Sequence, residues 1–333
     1  MEFTIGGRLE VRLMPTDVGK RVSVRRVVGT PGQGAKFTDT VGVLTSWDDE
    51  VLSVTTKSGE IVRIAESSLV AGKVVPPAPA RRRGPAASFA ELALATARAW
   101  QPVESEPLGD WRLRAAGGFT RRANSALPLG DPGLPVGAAL GRVRDWYGER
   151  GLPAYVQTAT GAEGTQEKLC ADLEEHGWRR EVSAEVRIAA LAPVGDLDTD
   201  ISVVRMSREP DAAWLSRYQR FETPGAHVLK VLGSGPSVWF ASVPGDDSAG
   251  PPAAIGRCVV DGRWAGFMAV EVGPEHRRRG LATAVMTALA RTALDEGASA
   301  AWLQVETDNE GARALYDGMG FATHHRYHHF RSA

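Results

Sequence analysis

The segment 267–321 constrains the fold of this chain more than any other part of the sequence. An apolar, strand-like run ends at Gly273-Pro274, three arginines lead to Gly280, and a long segment with helical periodicity begins at Leu281. A glycine between a strand and a helix permits a tight turn, and the free amides and positive dipole end of the helix favour an anion. The segment therefore predicts a phosphate-binding helix start.

A second motif lies on the next predicted strand and helix. It has the spacing Val-x-x-x-Asn-x-x-Ala-x-x-Leu-Tyr followed by Gly-Phe, and its residues are Val305, Asn309, Ala312, Leu315, Tyr316, Gly320 and Phe321. Each motif is weak alone, but the order strand, turn, helix, strand, helix is the context that such motifs need. Together the two motifs resemble the GCN5-related N-acetyltransferase (GNAT) superfamily. The resemblance implies an acyl-CoA-dependent amine acyltransferase.

The resemblance also implies where acetyl-CoA, the expected co-substrate, would bind. Its pyrophosphate would lie on the turn before the helix, and its pantetheine arm would enter between two splayed central strands. The implied cofactor-binding residues are Val270, Val272, Arg277, Arg278, Arg279, Gly280, Leu281, Ala282, Asn309 and Ala312. Backbone amides around Val270 and Val272 would polarise the thioester carbonyl. Asn309 would cap its helix, hydrogen-bond the pantetheine or the substrate amide, or do both.

Acyl transfer to an amine needs a neutral amine and a protonated leaving thiolate. Tyr316 occupies the position where the family places its general acid, and a phenol can give a proton to sulfur. The alternative is that Tyr316 only packs beneath an amphipathic helix. Three candidates for the base stay open: Glu271, which faces away from its strand neighbours, Glu306, which ends the adjacent predicted strand, and a water relay.

Composition indicates an ordinary globular protein of two or three domains, with 333 residues and 43% hydrophobic residues. The formal net charge is −1, and the first 75 residues carry ten Lys/Arg against nine Asp/Glu, which disfavours nucleic-acid binding. Two cysteines far apart, no signal-peptide pattern and no long apolar run predict a cytoplasmic protein without a membrane partner. The oligomeric state stays open.

Four segments divide the chain. Residues 1–75 contain predicted strands at 21–27, 39–47, 51–56 and 60–64 and resemble an SH3-like β-barrel. Residues 76–87 form a linker rich in proline and arginine. Residues 88–195 and 196–333 repeat one order of elements, which predicts a mixed α/β (α+β) GNAT fold in tandem. The arrangement is similar to actinobacterial acetyltransferases that carry an N-terminal SH3-like barrel.

Only the second half keeps the motif residues, so the first half is predicted to be degenerate. Pro132 and Pro135 remove amide donors from the turn that corresponds to 277–282. Aligning Gly177-Trp178 with Gly320-Phe321 puts Leu173 opposite Tyr316, and leucine cannot transfer a proton. The first half would then complete the fold and form one wall of the acceptor cleft.

Four histidines near the C-terminus raise a metal hypothesis: His324, His325, His328 and His329. Because neighbouring side chains on a strand point to opposite faces, at most two would converge, and no cysteine is nearby. We expect no metal, and we expect these histidines to line a strand at the end of the sheet.

The sequence thus predicts an N-acetyltransferase that transfers an acetyl group from acetyl-CoA to a primary amine of a small molecule or a protein. The alternative is a non-catalytic acyl-CoA sensor or scaffold whose barrel binds a protein partner. Retention of Tyr316 favours the enzyme.

Overall fold

A computed structural model of the protein describes residues 11–28, 36–76, 84–218, 225–247 and 250–333. Within these ranges the strands form sheets of six, eight and three strands. In the same ranges, no helix has both the length and the apolar character needed to cross a membrane. Most of the predicted linker, including its arginine run at 81–83, lies outside the described residues.

The N-terminal region folds as the six-stranded sheet. Its strands are β1 Val11–Arg12, β2 Arg21–Val28, β3 Lys36–Asp48, β4 Val51–Thr56, β5 Ile61–Ala65 and β6 Leu69–Val74. The sheet order is β1-β6-β2-β3-β4-β5, so the four predicted strands are present and β1 and β6 add to them. Alternating side chains such as Val22, Val24 and Leu44 are fully buried and form a core of their own.

The first of the two repeated halves carries a short three-stranded sheet and four helices. Its elements are α1 Phe89–Ala99, β7 Glu104–Leu108, β8 Trp111–Ala115, β9 Leu127–Pro128, α2 Val136–Gly148, β10 Tyr155–Thr160, α3 Glu167–Glu175, β11 Arg179–Ala190 and α4 Ala192–Gly195. Helix α1 begins where the Ser88 hydroxyl accepts a hydrogen bond from the Glu91 amide.

The second half has the longer motif helix and most of the large sheet. Its elements are β12 Arg205–Ser207, α5 Ala212–Arg217, α6 Ala226–Leu232, β13 Ser237–Val243, β14 Ala254–Asp261, β15 Trp264–Val272, α7 Leu281–Asp295, β16 Ala300–Glu306, α8 Glu310–Gly318 and β17 Ala322–Arg331. Strand β12 begins only at Arg205, because Asp200 and Ile201 accept hydrogen bonds that close a turn before it.

The two halves share one sheet because they exchange their last strands. The sheet order is β10-β17-β11-β16-β15-β14-β13-β12. Strand β17 pairs with β10 of the first half, β11 pairs with β16 of the second half, and β11 and β17 pair with each other. The expectation that the four histidines line an end strand is therefore wrong, since β17 lies inside the sheet. We keep the predicted boundaries 1–75, 76–87, 88–195 and 196–333 as a proposal.

The pairing register relates the two halves residue by residue. The isolated parallel bridge between Ala126 and Val156 corresponds to the last parallel pair of the second half, Phe267 with Leu303. Across the exchanged strands, Val156 pairs with Phe330, whereas Leu303 pairs with Arg187. Phe330 in the first core and Arg187 in the second are thus equivalent positions.

The ends of helices α3 and α8 repeat in the same way. The Trp178 amide donates to the Leu173 carbonyl, and the Phe321 amide donates to the Tyr316 carbonyl. The glycine before each aromatic residue has a positive φ, as is common where a helix ends. This register places Leu173 at the position of Tyr316.

The sheet separates two apolar cores in the second half. Helix α7 covers one face, where Phe267, Leu303 and Tyr316 belong to one buried cluster. The opposite face carries Trp302 and Ile255, which belong to the cluster that includes residues of α1, α5 and α6. Side chains that alternate along β15 and β16 therefore point either toward α7 or toward this opposite face.

The N-terminal sheet contacts the repeated halves through the turn between β4 and β5. The Thr160 hydroxyl donates to the Lys57 carbonyl at 3.1 Å, and Arg180 donates to the Ser58 carbonyl at 3.3 Å. His328 Nε2 lies 2.9 Å from the Thr160 oxygen and therefore donates to it, since the hydroxyl proton is already used. Burial lowers the pKa of His328 to about 3, so the imidazole is neutral.

Gly59 in this turn leaves no room for a side chain. A Cβ there would stand 2.6 Å from Arg180 Nη1 and 2.7 Å from His328 Nε2. We predict that Gly59→Val lowers the free energy of unfolding by about 1–3 kcal/mol, because buried His328 cannot move aside. Denaturant unfolding measures the difference. The control is Gly19→Val, at a glycine of similar φ with nothing within 4 Å of the added Cβ; equal losses would mean that backbone strain alone explains both.

Candidate active site

The two central strands of the second half diverge at the predicted place. Strands β15 and β16 pair in parallel from Trp264 with Ala300 to Phe267 with Leu303, and their pairing ends there. Beyond it, β15 has a register shift against β14, and Ala269 has a φ of 51°, as expected at a bulge. Within the described ranges, the edge of β15 at Val270 and Val272 therefore has no partner strand on the β16 side.

The turn before α7 presents backbone donors to solvent. Arg278 and Gly280 both have positive φ, at 64° and 75°. The first hydrogen bond of the helix runs from the Ala284 amide to the Gly280 carbonyl, so the amides of Leu281, Ala282 and Thr283 precede the helical ladder. A Cβ on Gly280 would meet nothing within 4 Å. Glycine is therefore favoured here by the left-handed backbone, and the space above the helix start is open.

The three arginines of the motif are exposed at this turn. Arg279 donates to His276 Nδ1 at 2.9 Å, which fixes its guanidinium beside the turn. Arg277 and Arg278 precede the helix start. Positive side chains and unpaired amides at a helix N-terminus together favour an anionic group.

Asn309 and Ala312 lie at the start of α8. The Asn309 side chain accepts a hydrogen bond from the Ala312 amide at 3.1 Å, so Asn309 caps the helix. This is one of the two uses that the sequence left open for Asn309. Ala312 packs against the α7-side core.

Tyr316 lies on α8 with 8% of its surface exposed. Its ring contacts Phe321 edge to face, with centroids 6.0 Å apart. Among the described residues, no group forms a hydrogen bond with its hydroxyl. Burial raises the pKa of the phenol to about 12, and the cation of Arg187 acts in the opposite direction. Tyr316 therefore stays protonated at neutral pH and can donate a proton.

The two candidate carboxylates lie on the other face of the sheet. Glu271 pairs across the strands with Ile255, whose side chain belongs to the core opposite α7. Glu306 pairs with Ala184, which belongs to the same core. Directly paired residues share a face, so Glu271 and Glu306 both face away from Tyr316. The divergent strands thus separate a potential proton donor from two potential proton acceptors.

In the first half, the chain's own carboxylates bind the turn that would hold pyrophosphate. Gly133 has a φ of 73°, close to that of Gly280. However, Asp131 accepts a hydrogen bond from the Gly133 amide at 2.7 Å, and Asp110 accepts one from the Asp131 amide at 3.2 Å. The two carboxylates would also repel a phosphate. They add to the effect of Pro132, which has no amide donor.

The gap between the strands of the first half is also filled. The Gln166 side chain donates to the Pro128 carbonyl of β9 at 2.5 Å and accepts from the Ala159 amide of β10 at 2.9 Å. Gln166 precedes α3 as Asn309 precedes α8. It bridges two strands at the place where the second half has a gap between β15 and β16.

The histidines of β17 do not converge on one point. His328 contacts Thr160 and Ser183, whereas His325 contacts His324 and packs edge to face on Phe89. Across the described part of the chain, no group of three or more His, Cys, Asp or Glu side chains could hold a metal ion.

Two residues that distinguish the halves were missed by sequence reasoning. Arg187 on β11 approaches Tyr316 only because of the strand exchange, and Gln166 bridges the first-half strands. Gln166 could have been found by extending the alignment of the two halves back from Leu173. Nothing in the sequence near Arg187 indicates that β11 pairs with the second half.

Comparison with known proteins identifies two regions of the chain. Residues 87–330 match the family described as "Probable histone acetyltransferase Rv0428c C-terminal". Residues 16–73 match "Rv0428c N-terminal Sm-like domain". The predicted small N-terminal β domain is therefore confirmed, and an Sm-like domain fits the predicted SH3-like barrel loosely.

Two curated relatives are similar over most of their length. One is "Probable histone acetyltransferase Rv0428c" of Mycobacterium tuberculosis, 28% identical over 317 residues that cover 92% of this chain and 93% of the relative. The other is "Uncharacterized N-acetyltransferase YobR" of Bacillus subtilis, 25% identical over 243 residues that cover 70% of this chain and 94% of the relative.

Solved structures share the fold. A GCN5-related N-acetyltransferase from Kribbella flavida has a TM-score of 0.54 at 17% identity and covers 74% of this chain and 96% of its own. A tandem GNAT protein from the clavulanic acid biosynthesis pathway has a TM-score of 0.53 at 14% identity, covering 75% and 90%. With the family match over 87–330, the chain belongs to the Rv0428c C-terminal acetyltransferase family, and it shares the fold of GCN5-related N-acetyltransferases, including a tandem one.

Proposed function

We propose that the protein transfers an acetyl group from acetyl-CoA to a primary amine by direct attack in a ternary complex. The observation that carries the proposal is the divergence of β15 and β16, with an open helix start on one side and Tyr316 on the other. In this proposal the pyrophosphate binds the amides after Arg278, Arg279 and Gly280, together with Arg277. The pantetheine enters the gap past Val270, Val272, Asn309 and Ala312.

We propose that the two faces of the sheet have different roles, with proton acceptors on one face and the proton donor on the other. An amine that approaches from the Glu271 and Glu306 face would meet carboxylates, which attract its ammonium form and can take its proton directly or through water. The thiolate would leave toward Tyr316, whose phenol can protonate sulfur. Backbone amides of the β15 bulge would polarise the carbonyl between them.

The acceptor is a primary amine in this proposal, and a protein lysine is the first acceptor to assay. The Mycobacterium tuberculosis relative is named a histone acetyltransferase, which supports testing basic proteins beside small amines. Cytoplasmic location is part of the proposal, supported by two cysteines that are free and buried, Cys170 and Cys258.

We predict that acetyl-CoA raises the thermal midpoint of the protein, whereas NAD and ATP do not. A ligand that binds only the folded state adds about 2.7 kcal/mol at roughly 100 times its dissociation constant. Gly280→Glu should abolish the shift, because a carboxylate would stand where the pyrophosphate binds. The control is Gly262→Glu, at an open, positive-φ glycine in the β14–β15 turn. A shift that survives in Gly280→Glu would contradict the proposed binding site.

We predict that Tyr316→Phe lowers kcat about 10²-fold and leaves acetyl-CoA affinity nearly unchanged, since the ring stays and the proton donor is lost. Thiol release from acetyl-CoA across a panel of amines measures turnover. The control is Tyr147→Phe, which removes a buried phenol of the first half. Wild-type turnover in Tyr316→Phe would leave Tyr316 a packing residue, and cofactor binding without turnover in the wild type would favour an acyl-CoA sensor.

We predict that one molecule of acetyl-CoA binds per chain. In the first half, Asp110 and Asp131 occupy turn amides and Gln166 fills the strand gap, so a second cofactor would lose hydrogen bonds while still shedding water. Isothermal titration with protein of known active fraction measures the stoichiometry. Two sites of similar affinity would show that the first half is a working cofactor site.

A further inference from the structure

Arg187 is a buried cation that the first half contributes to the second. It lies on β11 with 5% of its surface exposed, opposite Leu303 of β16. Its Nη1 donates to the Arg313 carbonyl at 3.0 Å, and its Nη2 bonds the Asp317 carboxylate. Both partners belong to α8, and they lie on either side of Tyr316 in the chain. The guanidinium thus holds the turn of α8 that carries Tyr316 by contacts on both sides of that residue.

Arg187 belongs to a cluster of charged side chains. Glu185 is 2% exposed and lies 3.6 Å from Arg187 Nε. The same carboxylate lies 3.5 Å from Arg313 and 3.3 Å from Arg326, and it accepts a hydrogen bond from the Thr323 hydroxyl. The single buried carboxylate of Glu185 therefore faces three guanidiniums, and Arg187 also bonds the exposed Asp317.

The first half shows that this position does not need a charge for stability. There, Leu173 replaces Tyr316 and Phe330 replaces Arg187, and both belong to a single apolar cluster. A buried ion pair usually stabilises no better than well-packed apolar side chains of similar volume. The same pair of structural positions is therefore apolar in the first half and holds a tyrosine and an arginine in the second half. The arginine occurs only where the tyrosine is present.

We propose that Arg187 is a positioning residue for acetyl transfer, which fixes α8 around Tyr316 and places a cation where a phenolate would form. This inference rests on the proposed function. The amine nitrogen bonds to the acetyl carbon, and the C–S bond breaks with its electron pair on sulfur. The sulfur takes the phenol proton of Tyr316, giving CoA thiol and a phenolate beside Arg187. The phenolate then recovers the surplus proton of the attacking amine through the base or water.

The physical basis is the stabilisation of a transient anion. An opposite charge close to an ionisable group favours its charged form, and Arg187 acts on the phenol in this sense against the effect of burial. Because the phenol hydroxyl has no hydrogen-bond partner among the described residues, the cation is its main electrostatic support. Without the cation, proton transfer from Tyr316 to sulfur would become less favourable.

The test is a double-mutant cycle between Arg187→Met and Tyr316→Phe in the full-length protein. We expect Arg187→Met to lower kcat about tenfold or more with little change in the KM for acetyl-CoA. In the Tyr316→Phe background the same change should have almost no further effect, because Arg187 acts through the phenol. Equal losses of kcat in both backgrounds would overturn the inference and leave Arg187 a structural residue.

Two further variants separate charge from packing. Arg187→Lys keeps the charge but loses the paired contacts to the Arg313 carbonyl and Asp317 of α8. It should therefore retain more turnover than Arg187→Met. Equal turnover in the two variants would contradict a role for the cation. Arg114→Met removes an equally buried guanidinium of the first half, which bonds Ser125 and Gln157, and should leave the pH profile of kcat unchanged. If Arg187→Met does not fold, the cycle is run with Arg187→Gln, which also removes the charge and keeps a polar side chain.

The phenol itself gives a readout that a structural role would not move. The ultraviolet absorbance of phenolate, taken as the difference from Tyr316→Phe, reports the titration of Tyr316, and its midpoint should rise in Arg187→Met. An unchanged midpoint would overturn the inference. Failure of the proposed function is recognised separately, because the wild type would then show no acetyl transfer or Tyr316→Phe would keep full activity.

Discussion

The antiparallel pairing of β11 with β17 holds the rest of the molecule together. Each strand belongs by sequence to one half and packs into the core of the other, so Phe330 completes the first apolar core and Arg187 reaches the second. Backbone hydrogen bonds across β10, β17, β11 and β16 make the two halves one sheet. The faces on which Arg187 and Glu306 lie follow from the register of β11 with β16, because a slip by one residue would turn each side chain to the opposite face.

Although the two halves share one sheet, they differ at a few side chains. Gln166 bridges the strands that diverge in the second half, and Asp131 binds an amide that is open at the corresponding turn. Leu173 stands in place of Tyr316. A duplicated fold can therefore lose a cofactor site by satisfying its own backbone groups, while the pairing that supports the other site is kept.

Local patterns predicted much of this structure. Alternation and turn residues gave β4 at its observed bounds, and helical periodicity gave the start of α7 at Leu281. The glycine-containing turn and the Tyr316 motif are short local patterns, which is why the sequence could predict the two ends of the site that we propose. A helical crossover connects the two central strands, and strands joined in this way run parallel, as β15 and β16 do.

The exchange of strands could not be predicted in this way. The pattern of β17 fits an interior strand and an end strand equally well, since its partners are set by distant segments. For the same reason the sequence did not place Arg187 beside Tyr316 or the 57–59 turn against His328. These contacts join residues that are remote in sequence, and no periodicity within one segment encodes them.

The interior position of β17 has a consequence for how the chain is made. While the ribosome is still translating the second half, β10 and β11 have emerged, but the strand that lies between them has not. The nascent first half therefore exposes two unpaired strand edges and an open apolar core during most of synthesis. The first half can complete its sheet only after β17 has emerged, and a chaperone that shields strand edges would act on the first half until then.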